Sequence, residues 1–199
     1  MKRAALGLRM HSGWGVLVAV SAEANAVEVL DRRRIVIIDP QLPGAKQPYH
    51  YAASLDLPAS EKCLVEYAAS SERFAETALR EVVAELDARH YRVVGSAVLL
   101  ASGRSLPPLP KILASHPLIH TAEGEFFRSA VRAACERLQI PVLAVKEREL
   151  PELAKTVLGS KASQVLLKIA NLGSSLGPPW TQDHKTAALA AFLILARAE

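Results

Sequence analysis

The sequence predicts an α/β fold in which helices cover a mixed five-stranded sheet. Three observations lead to this prediction: an apolar N-terminal region broken only by short turns, two later apolar runs that each follow a helical pattern, and a C-terminal segment that is apolar nearly all round. Strands joined by short turns must be antiparallel neighbours, whereas strands separated by a helix can lie parallel. The predicted order is therefore three strands, then helix, strand, helix, strand and further helices.

The composition is that of a folded protein, and we expect a single domain over residues 1–199. Half of the residues are hydrophobic and 22% are charged, which excludes a disordered chain. The formal net charge of +4 is compatible with an anionic partner but does not indicate one. The longest apolar run, residues 187–196, is about half a membrane span, so we expect a cytoplasmic protein without a membrane partner. Cys63 and Cys135 form no Cys-x-x-Cys pair, and we expect buried thiols.

The first three strands are predicted in AALGLRMHS, GVLVAVSA and VEVLDRRRIVIID, with turns at residues 13–15 and 23–25. Residues 40–60 carry four of the twelve prolines and are predicted as a surface loop. Residues 71–90 are predicted as a helix because apolar side chains from Phe74 to Leu86 recur at helical spacing. The nearly continuous apolar run RVVGSAVLLASG is typical of a strand covered on both faces.

The second half begins with another proline-marked region, residues 103–120, which is predicted to be irregular. A second helix is predicted to start at Thr121 as its N-cap and to end before Pro141, where VLAVKE forms the fifth strand. Two shorter helices are predicted to end at Gly159 and Gly173. Thr181 is predicted to cap a last, buried helix that reaches about Arg197.

Two short strings in this order resemble the Holliday junction resolvases of the ribonuclease H-like superfamily. They are ALGLR at residues 5–9, in the first strand, and DHKTAALA at residues 183–190, in the last helix. The resemblance implies the ribonuclease H-like fold. It also implies the chemistry of that family, in which clustered carboxylates hold two divalent cations that activate water and stabilise the leaving oxygen.

The metal-binding carboxylates implied by the resemblance are largely missing from this chain. Arg9 stands at the position of the family's first-strand aspartate, and Thr186 stands where the last helix carries a second acid. The fourth strand ends in Ala-Ser-Gly at residues 101–103 with no acid, and only Asp183 remains. We therefore predict that the chain has no two-metal nuclease activity, and we predict no metal and no other cofactor.

Three polar groups that are distant in sequence are expected to converge at one end of the sheet, where ligands of open α/β sheets bind. They follow the first strand, open the second helix and open the last helix. The candidate catalytic residues are His120, Glu123, Asp183 and His184, and the candidate anion-binding residues are Arg9, His11, Ser12 and Lys185.

The string around His120 supports two interpretations. His120 and Glu123 could act as an acid–base pair, or could bind a metal together with His116. Alternatively, Thr121 caps the helix, Glu123 suits the helix dipole and the histidines make local hydrogen bonds. Because a proline-marked loop is predicted for His116 and His120, the sequence does not predict a helical metal-ligand spacing for them.

Arg9 also supports two interpretations, since a guanidinium is costly to bury without a partner. It pairs with a carboxylate, such as Asp183 or Glu123, or it faces an anionic ligand. In the first case a salt bridge replaces the cations of the related enzymes. The run Arg32–Arg34 is either a solvated strand end or a phosphate-contacting patch, and Trp14 and Trp180 either stack on a ligand or cover the edge of the core.

Three functions follow from these residues. The first is a diverged ribonuclease H-like domain that binds nucleic acid or a protein partner. The second is an enzyme that acts on a phosphorylated or carboxylated small molecule through Arg9, His120, Glu123 and Asp183. The third is a structural subunit or homodimer, which would expose an apolar patch of several hundred Å².

Overall fold

The computed structural model describes residues 1–23, 26–101 and 105–197, and its elements surround one five-stranded sheet. The strands are β1 (Lys2–Met10), β2 (Trp14–Glu23), β3 (Ala26–Val36), β4 (Tyr91–Leu100) and β5 (Val142–Lys146). Their spatial order is β3-β2-β1-β4-β5. The β1–β2 and β2–β3 pairs are antiparallel, whereas the β1–β4 and β4–β5 pairs are parallel. The predicted mixed five-stranded sheet is confirmed.

Eight helices cover the sheet in the described part of the chain. They are α1 (Pro48–Ala52), α2 (Leu57–Ala88), α3 (Leu109–Leu113), α4 (His116–Arg137), α5 (Leu150–Leu158), α6 (Ala162–Asn171), α7 (Gly173–Leu176) and α8 (Gln182–Arg197). Helices α2 and α4 pack on one face of the sheet, and α5, α6 and α8 pack on the other. No helix among the described residues is long and apolar enough to cross a bilayer.

Two predicted helix starts are wrong for the same physical reason. Helix α2 begins at Leu57 rather than at residue 71, and α4 begins at His116 rather than after Thr121. Each has a proline in its first two positions, where the missing N–H has no helical partner in any case. Proline is typical of loops, but here Pro58 and Pro117 open helices. Thr121 lies inside α4, where its hydroxyl donates to the carbonyl of Pro117 at 3.0 Å.

Other boundaries agree with the prediction in part. Helix α5 ends at Leu158, and the next residue, Gly159, is its C-cap with a positive φ of 55°, as predicted. Gly173 does not end a helix but begins α7, and the positive φ occurs four residues later at Gly177. Phe74 was predicted on the inner face of its helix, but it is exposed, and Ala75 packs in the core instead. Because α2 begins at Leu57, its buried face also includes Cys63 and Tyr67.

The side chains alternate between two apolar cores along each central strand, because successive residues of a strand point to opposite faces. In β1, Leu6 and Leu8 face α2 and α4, whereas Ala5 faces α8. Helix α8 is buried along most of its length, as its nearly continuous apolar sequence predicts. Both cysteines are buried and free, and burial raises the pKa of each thiol.

Gly7 allows α8 to approach β1 closely. A Cβ atom built on Gly7 would overlap the backbone carbonyl of Ala187, which belongs to the buried helix and has no room to move away. The first turn of α8 is therefore held close to the end of β1, and this contact positions the polar cluster described below.

We expect Gly7→Ala to lower the free energy of unfolding by about 3 kcal/mol, because backbone atoms must separate to admit the methyl group. Urea unfolding monitored by circular dichroism measures this change. Gly124→Ala is the control, since Gly124 lies in the interior of α4 and its added methyl would meet only the end of the flexible Arg128 side chain, 2.7 Å from Nη1. We expect this control to stay within about 1 kcal/mol of the wild type. Equal losses in the two variants would contradict the close approach at Gly7.

Candidate functional site

A polar cluster lies at the carboxyl end of β1, between the start of α8 and the end of β5. Arg9 is the second-last residue of β1 and its side chain is 26% exposed, so it does not extend into bulk solvent. Asp183 lies in the first turn of α8, where a carboxylate suits the helix dipole. Glu147 follows β5 directly, in a 3-10 turn. Three separate elements therefore bring their polar side chains together.

The Arg9 guanidinium binds both carboxylates of this cluster. Its Nη1 atom donates to Asp183 Oδ1 at 2.6 Å, and its Nε atom donates to Glu147 Oε2 at 3.2 Å. His11 Nε2 donates to the second oxygen of Asp183 at 2.7 Å and lies 3.1 Å from Arg9 Nη1. The predicted ion pair between Arg9 and Asp183 is confirmed. Glu123, the other carboxylate considered as a partner of Arg9, lies on His50 instead, and the second carboxylate on Arg9 is Glu147.

Arg128 of α4 adds a second guanidinium beside this cluster. Its Nε atom donates to the backbone carbonyl of Leu99 at 2.9 Å, near the end of β4. Burial lowers the pKa of Arg128, the carboxylates Glu125 and Glu147 oppose that shift, and the positive charge of Arg9 adds to it. The cluster itself is therefore formed by Arg9, Asp183, Glu147 and His11, with Arg128 as a nearby charge.

An aromatic stack borders the cluster on the side of the β1–β2 turn. The His11 and Trp14 rings are stacked with centroids 4.3 Å apart, and the Arg34 guanidinium lies over Trp14 at 4.1 Å from the ring centroid. Arg34 is exposed at the end of β3. Its neighbours are held elsewhere: Arg32 donates to three carbonyls of the loop at residues 176–179, and Arg33 pairs with Asp31 and Glu85.

His184, a candidate catalytic residue, is a buried part of the helix start. Its Nδ1 atom accepts the backbone N–H of Thr181 at 3.2 Å and the Thr181 hydroxyl at 2.8 Å. Burial lowers the pKa of His184, and the nearby charge of Arg32 lowers it further, while Asp183 raises it. These contacts give His184 a structural role in capping α8. They do not support its predicted catalytic role.

The remaining anion-binding candidates, Ser12 and Lys185, flank the cluster. Ser12 is exposed in the β1–β2 turn beside His11. Lys185 lines a cavity of about 370 Å³ that also includes Glu147 and Gln182. A second cavity of about 320 Å³ lies on the other side of the α8 start and is lined in part by Trp14, Asp183, Arg34 and His184.

His120 and Glu123 belong to a different cluster, which corrects the predicted convergence. The His120 ring contacts the rings of His50 and His116, and Glu123 accepts a hydrogen bond from His50 Nδ1 at 2.8 Å. His120 precedes Arg128 by eight residues on α4, which is about 12 Å along the helix axis. The predicted site is therefore divided, since His120 lies at the start of α4, whereas the charge of Arg9 acts on Arg128, about two turns further along the helix.

The sequence-based reasoning missed Glu147, Arg128 and His50. Glu147 had a usable signal, because it directly follows the fifth strand, and parallel strands end at the same edge of a sheet. Arg128 follows the fully buried Phe127 in α4, and no pattern in the sequence marks it. His50 was assigned to a loop, but it lies in α1 and packs beside α4.

No protein-family model and no curated protein matches the chain. Among solved structures, the chain is similar to RuvC of Thermus thermophilus in complex with a Holliday junction substrate, with 15% identity and a TM-score of 0.52 over 98% of this chain and 94% of that one. A second structure of Thermus thermophilus RuvC gives 14% identity and a TM-score of 0.50 over the same shares. Identity this low establishes the fold alone. The chain has the ribonuclease H-like fold in its RuvC-like form, with a mixed five-stranded sheet covered by helices.

Proposed function

We propose that this chain is a diverged ribonuclease H-like protein that binds nucleic acid and lacks two-metal nuclease activity. One observation carries the proposal: the guanidinium of Arg9 lies between Asp183 and Glu147 at the end of the central strand. A protein cation thus stands where the resemblance to resolvases implies metal-binding carboxylates.

The cluster does not fit a pair of divalent cations. Two metals about 4 Å apart need several carboxylates with free oxygens to hold them. Here Asp183 has one oxygen on Arg9 and the other on His11, and Glu147 is also bound to Arg9. A divalent ion would have to displace the guanidinium and would then be repelled by it. Metal-dependent cleavage at this cluster is therefore not part of the proposed function.

The surface beside the cluster supports binding of a nucleic acid. The Trp14 ring stacks on His11, and the exposed Arg34 guanidinium lies over the Trp14 ring. Both Trp14 and Arg34 line a cavity of about 320 Å³. Exposed arginines that contact phosphates, with cation–π support from aromatic rings, recur in single-strand binding surfaces. The solved complex of Thermus thermophilus RuvC with a Holliday junction shows that the fold can hold a nucleic acid. A small-molecule enzyme that joins Arg9 to His120 is not proposed, because these residues lie in separate clusters.

We expect Arg34→Ala to weaken binding to labelled oligonucleotides and to lower the slope of log affinity against log salt by about one, because one phosphate contact is lost. Fluorescence anisotropy with a single strand, a duplex and a four-way junction, at several salt concentrations, measures both quantities. Trp14→Leu should also weaken binding, because it removes the ring over which the Arg34 guanidinium is held.

Arg80→Ala is the matched control for Arg34→Ala. It removes one charge from an exposed arginine on α2, which packs on the opposite face of the sheet. Equal losses in the two variants would place the interface elsewhere. Failure of the wild type to bind any of the three nucleic acids at low salt would refute the nucleic-acid part of the proposal and favour a protein partner.

We expect Arg9→Met to lower the free energy of unfolding by about 2 kcal/mol, because it leaves two adjacent carboxylates without their cation. The loss should be smaller in the double variant Arg9→Met/Asp183→Asn, which removes one of the unpaired charges. Urea unfolding measures both. Arg80→Met, which breaks an exposed ion pair with Glu76, should cost about 0.5 kcal/mol or less. Arg9→Met as stable as the wild type would contradict the structural role of the ion pair.

The wild-type chain should leave a single strand, a duplex and a four-way junction uncut in Mg²⁺ or Mn²⁺, because Arg9 occupies the carboxylates that would hold the ions. Denaturing electrophoresis of end-labelled substrates detects cleavage. Metal-dependent cleavage that disappears in Asp183→Asn would show that the cluster is a working nuclease centre.

A further inference from the structure

We propose that His50, His116 and His120 form a binding site for a zinc ion, with Glu123 as the carboxylate that orients His50. One nitrogen from each of the three rings lies within 4.8 Å of the others. The site is separate from the Arg9 cluster, and it does not depend on the proposed nucleic-acid binding.

Two of the ligands come from a single helical turn. His116 and His120 are four residues apart in α4, and residues with this spacing lie on the same face of a helix. Their rings have centroids 4.4 Å apart and meet at 84°. Since both side chains are exposed on the outer surface of the helix, packing does not force them together.

The third ligand is held by a contact between two helices. His50 lies in α1, and its ring centroid is 5.3 Å from that of His116 and 4.9 Å from that of His120. Beneath the histidines, Ile119 and Ala122 of α4 belong to a small apolar cluster against which Tyr49 packs. The residue that precedes His50 is therefore fixed on α4, and His50 is held over the turn that carries the other two rings.

Glu123 provides the independent observation that points to a metal. It is only 3% exposed, and one of its carboxylate oxygens accepts both the Nδ1–H of His50, at 2.8 Å, and the backbone N–H of His50, at 3.2 Å. Fixing the proton on Nδ1 leaves Nε2 of His50 as a free lone pair. Histidines that bind metals almost always donate their other N–H to a carboxylate or a carbonyl in this way. The buried carboxylate also offsets the positive end of the α4 dipole, which by itself disfavours a cation.

The donor set favours zinc with an open coordination position. Three imidazoles and no carboxylate in direct contact suit zinc or another late transition metal rather than magnesium or calcium. A tetrahedral zinc with Zn–N bonds of about 2.0–2.1 Å places its nitrogens about 3.3 Å apart. The three side chains reach this spacing by small rotations, since two of them are exposed. Three protein ligands leave a fourth position for water or for an oxygen of a bound molecule.

The test uses the purified full chain, stripped of metal with a chelator and then titrated with Zn²⁺ in competition with a chromophoric chelator. We expect one zinc per chain and a rise in Tm when zinc is added, because zinc binds the folded arrangement. Substitution by Co²⁺ should give the visible absorption of a tetrahedral site. His116→Ala and His120→Ala should each weaken zinc binding at least tenfold, and Glu123→Gln should weaken it about 10- to 100-fold.

His90→Asn is the matched control. His90 is an exposed histidine with a positive φ of 63°, a conformation that asparagine tolerates, and it lies at the end of α2 outside the three-histidine group. We expect this variant to bind zinc like the wild type. The proposal fails if the wild type binds less than one zinc per chain at micromolar concentrations, or if His116→Ala and His120→Ala bind zinc as tightly as His90→Asn. Circular dichroism checks that each variant remains folded.

Discussion

The close packing of α8 against β1 is the contact on which the rest of the structure depends. Gly7 removes the side chain that would keep the helix backbone at its ordinary distance from the sheet, and Ala187 lies directly over it. From that contact the helix start, one turn earlier, extends over the end of β1. Asp183 consequently reaches Arg9, and His184 turns back to cap the same helix. A requirement of backbone packing in the core thus determines which polar groups meet at the surface.

The Arg9 cluster shows how the fold can retain its central strand and last helix while the charges at their meeting point change. A carboxylate at position 9 would leave Asp183 of α8 and Glu147, in the turn after β5, dependent on external cations. The guanidinium instead brings its own charge and binds both Asp183 and Glu147 directly. Because each side chain is partly exposed, the ion pairs contribute moderately to stability, and their main effect is to fix the geometry of the strand end.

The sheet could be predicted from the sequence because its signals are local. Apolar runs, short turns and the alternation of strands with helices define all five strands to within a few residues. The helix starts were harder, because the same prolines that mark loops also open helices, as Pro58 and Pro117 do here. Because of that ambiguity, the sequence does not predict that His116 and His120 lie four residues apart on one helix.

The candidate site was predictable only in part. The sequence indicates that Arg9 needs an anion, because a guanidinium is costly to bury alone, and it offers Asp183, Glu123 or a ligand; the structure pairs Arg9 with Asp183. Glu147, Arg128 and His50 come from segments far apart in sequence, and their meeting depends on side-chain directions and crossing angles that no local pattern encodes. The same limit explains why Glu123 was assigned to the Arg9 cluster, although it lies beneath a histidine of a different helix.

The position of β3 at the edge of the sheet gives its three arginines a further consequence. An outer strand of eleven residues presents unpaired backbone groups that could recruit a strand from another molecule. Arg32 and Arg33 are bound within the chain, but the exposed charge of Arg34 opposes such pairing, because two copies meeting edge to edge would bring like charges together. The register of β3 on β2 also shifts near Ala19, which twists the edge locally. The densest run of positive charge in the sequence thus lies on an edge strand, where such charge disfavours pairing with another chain.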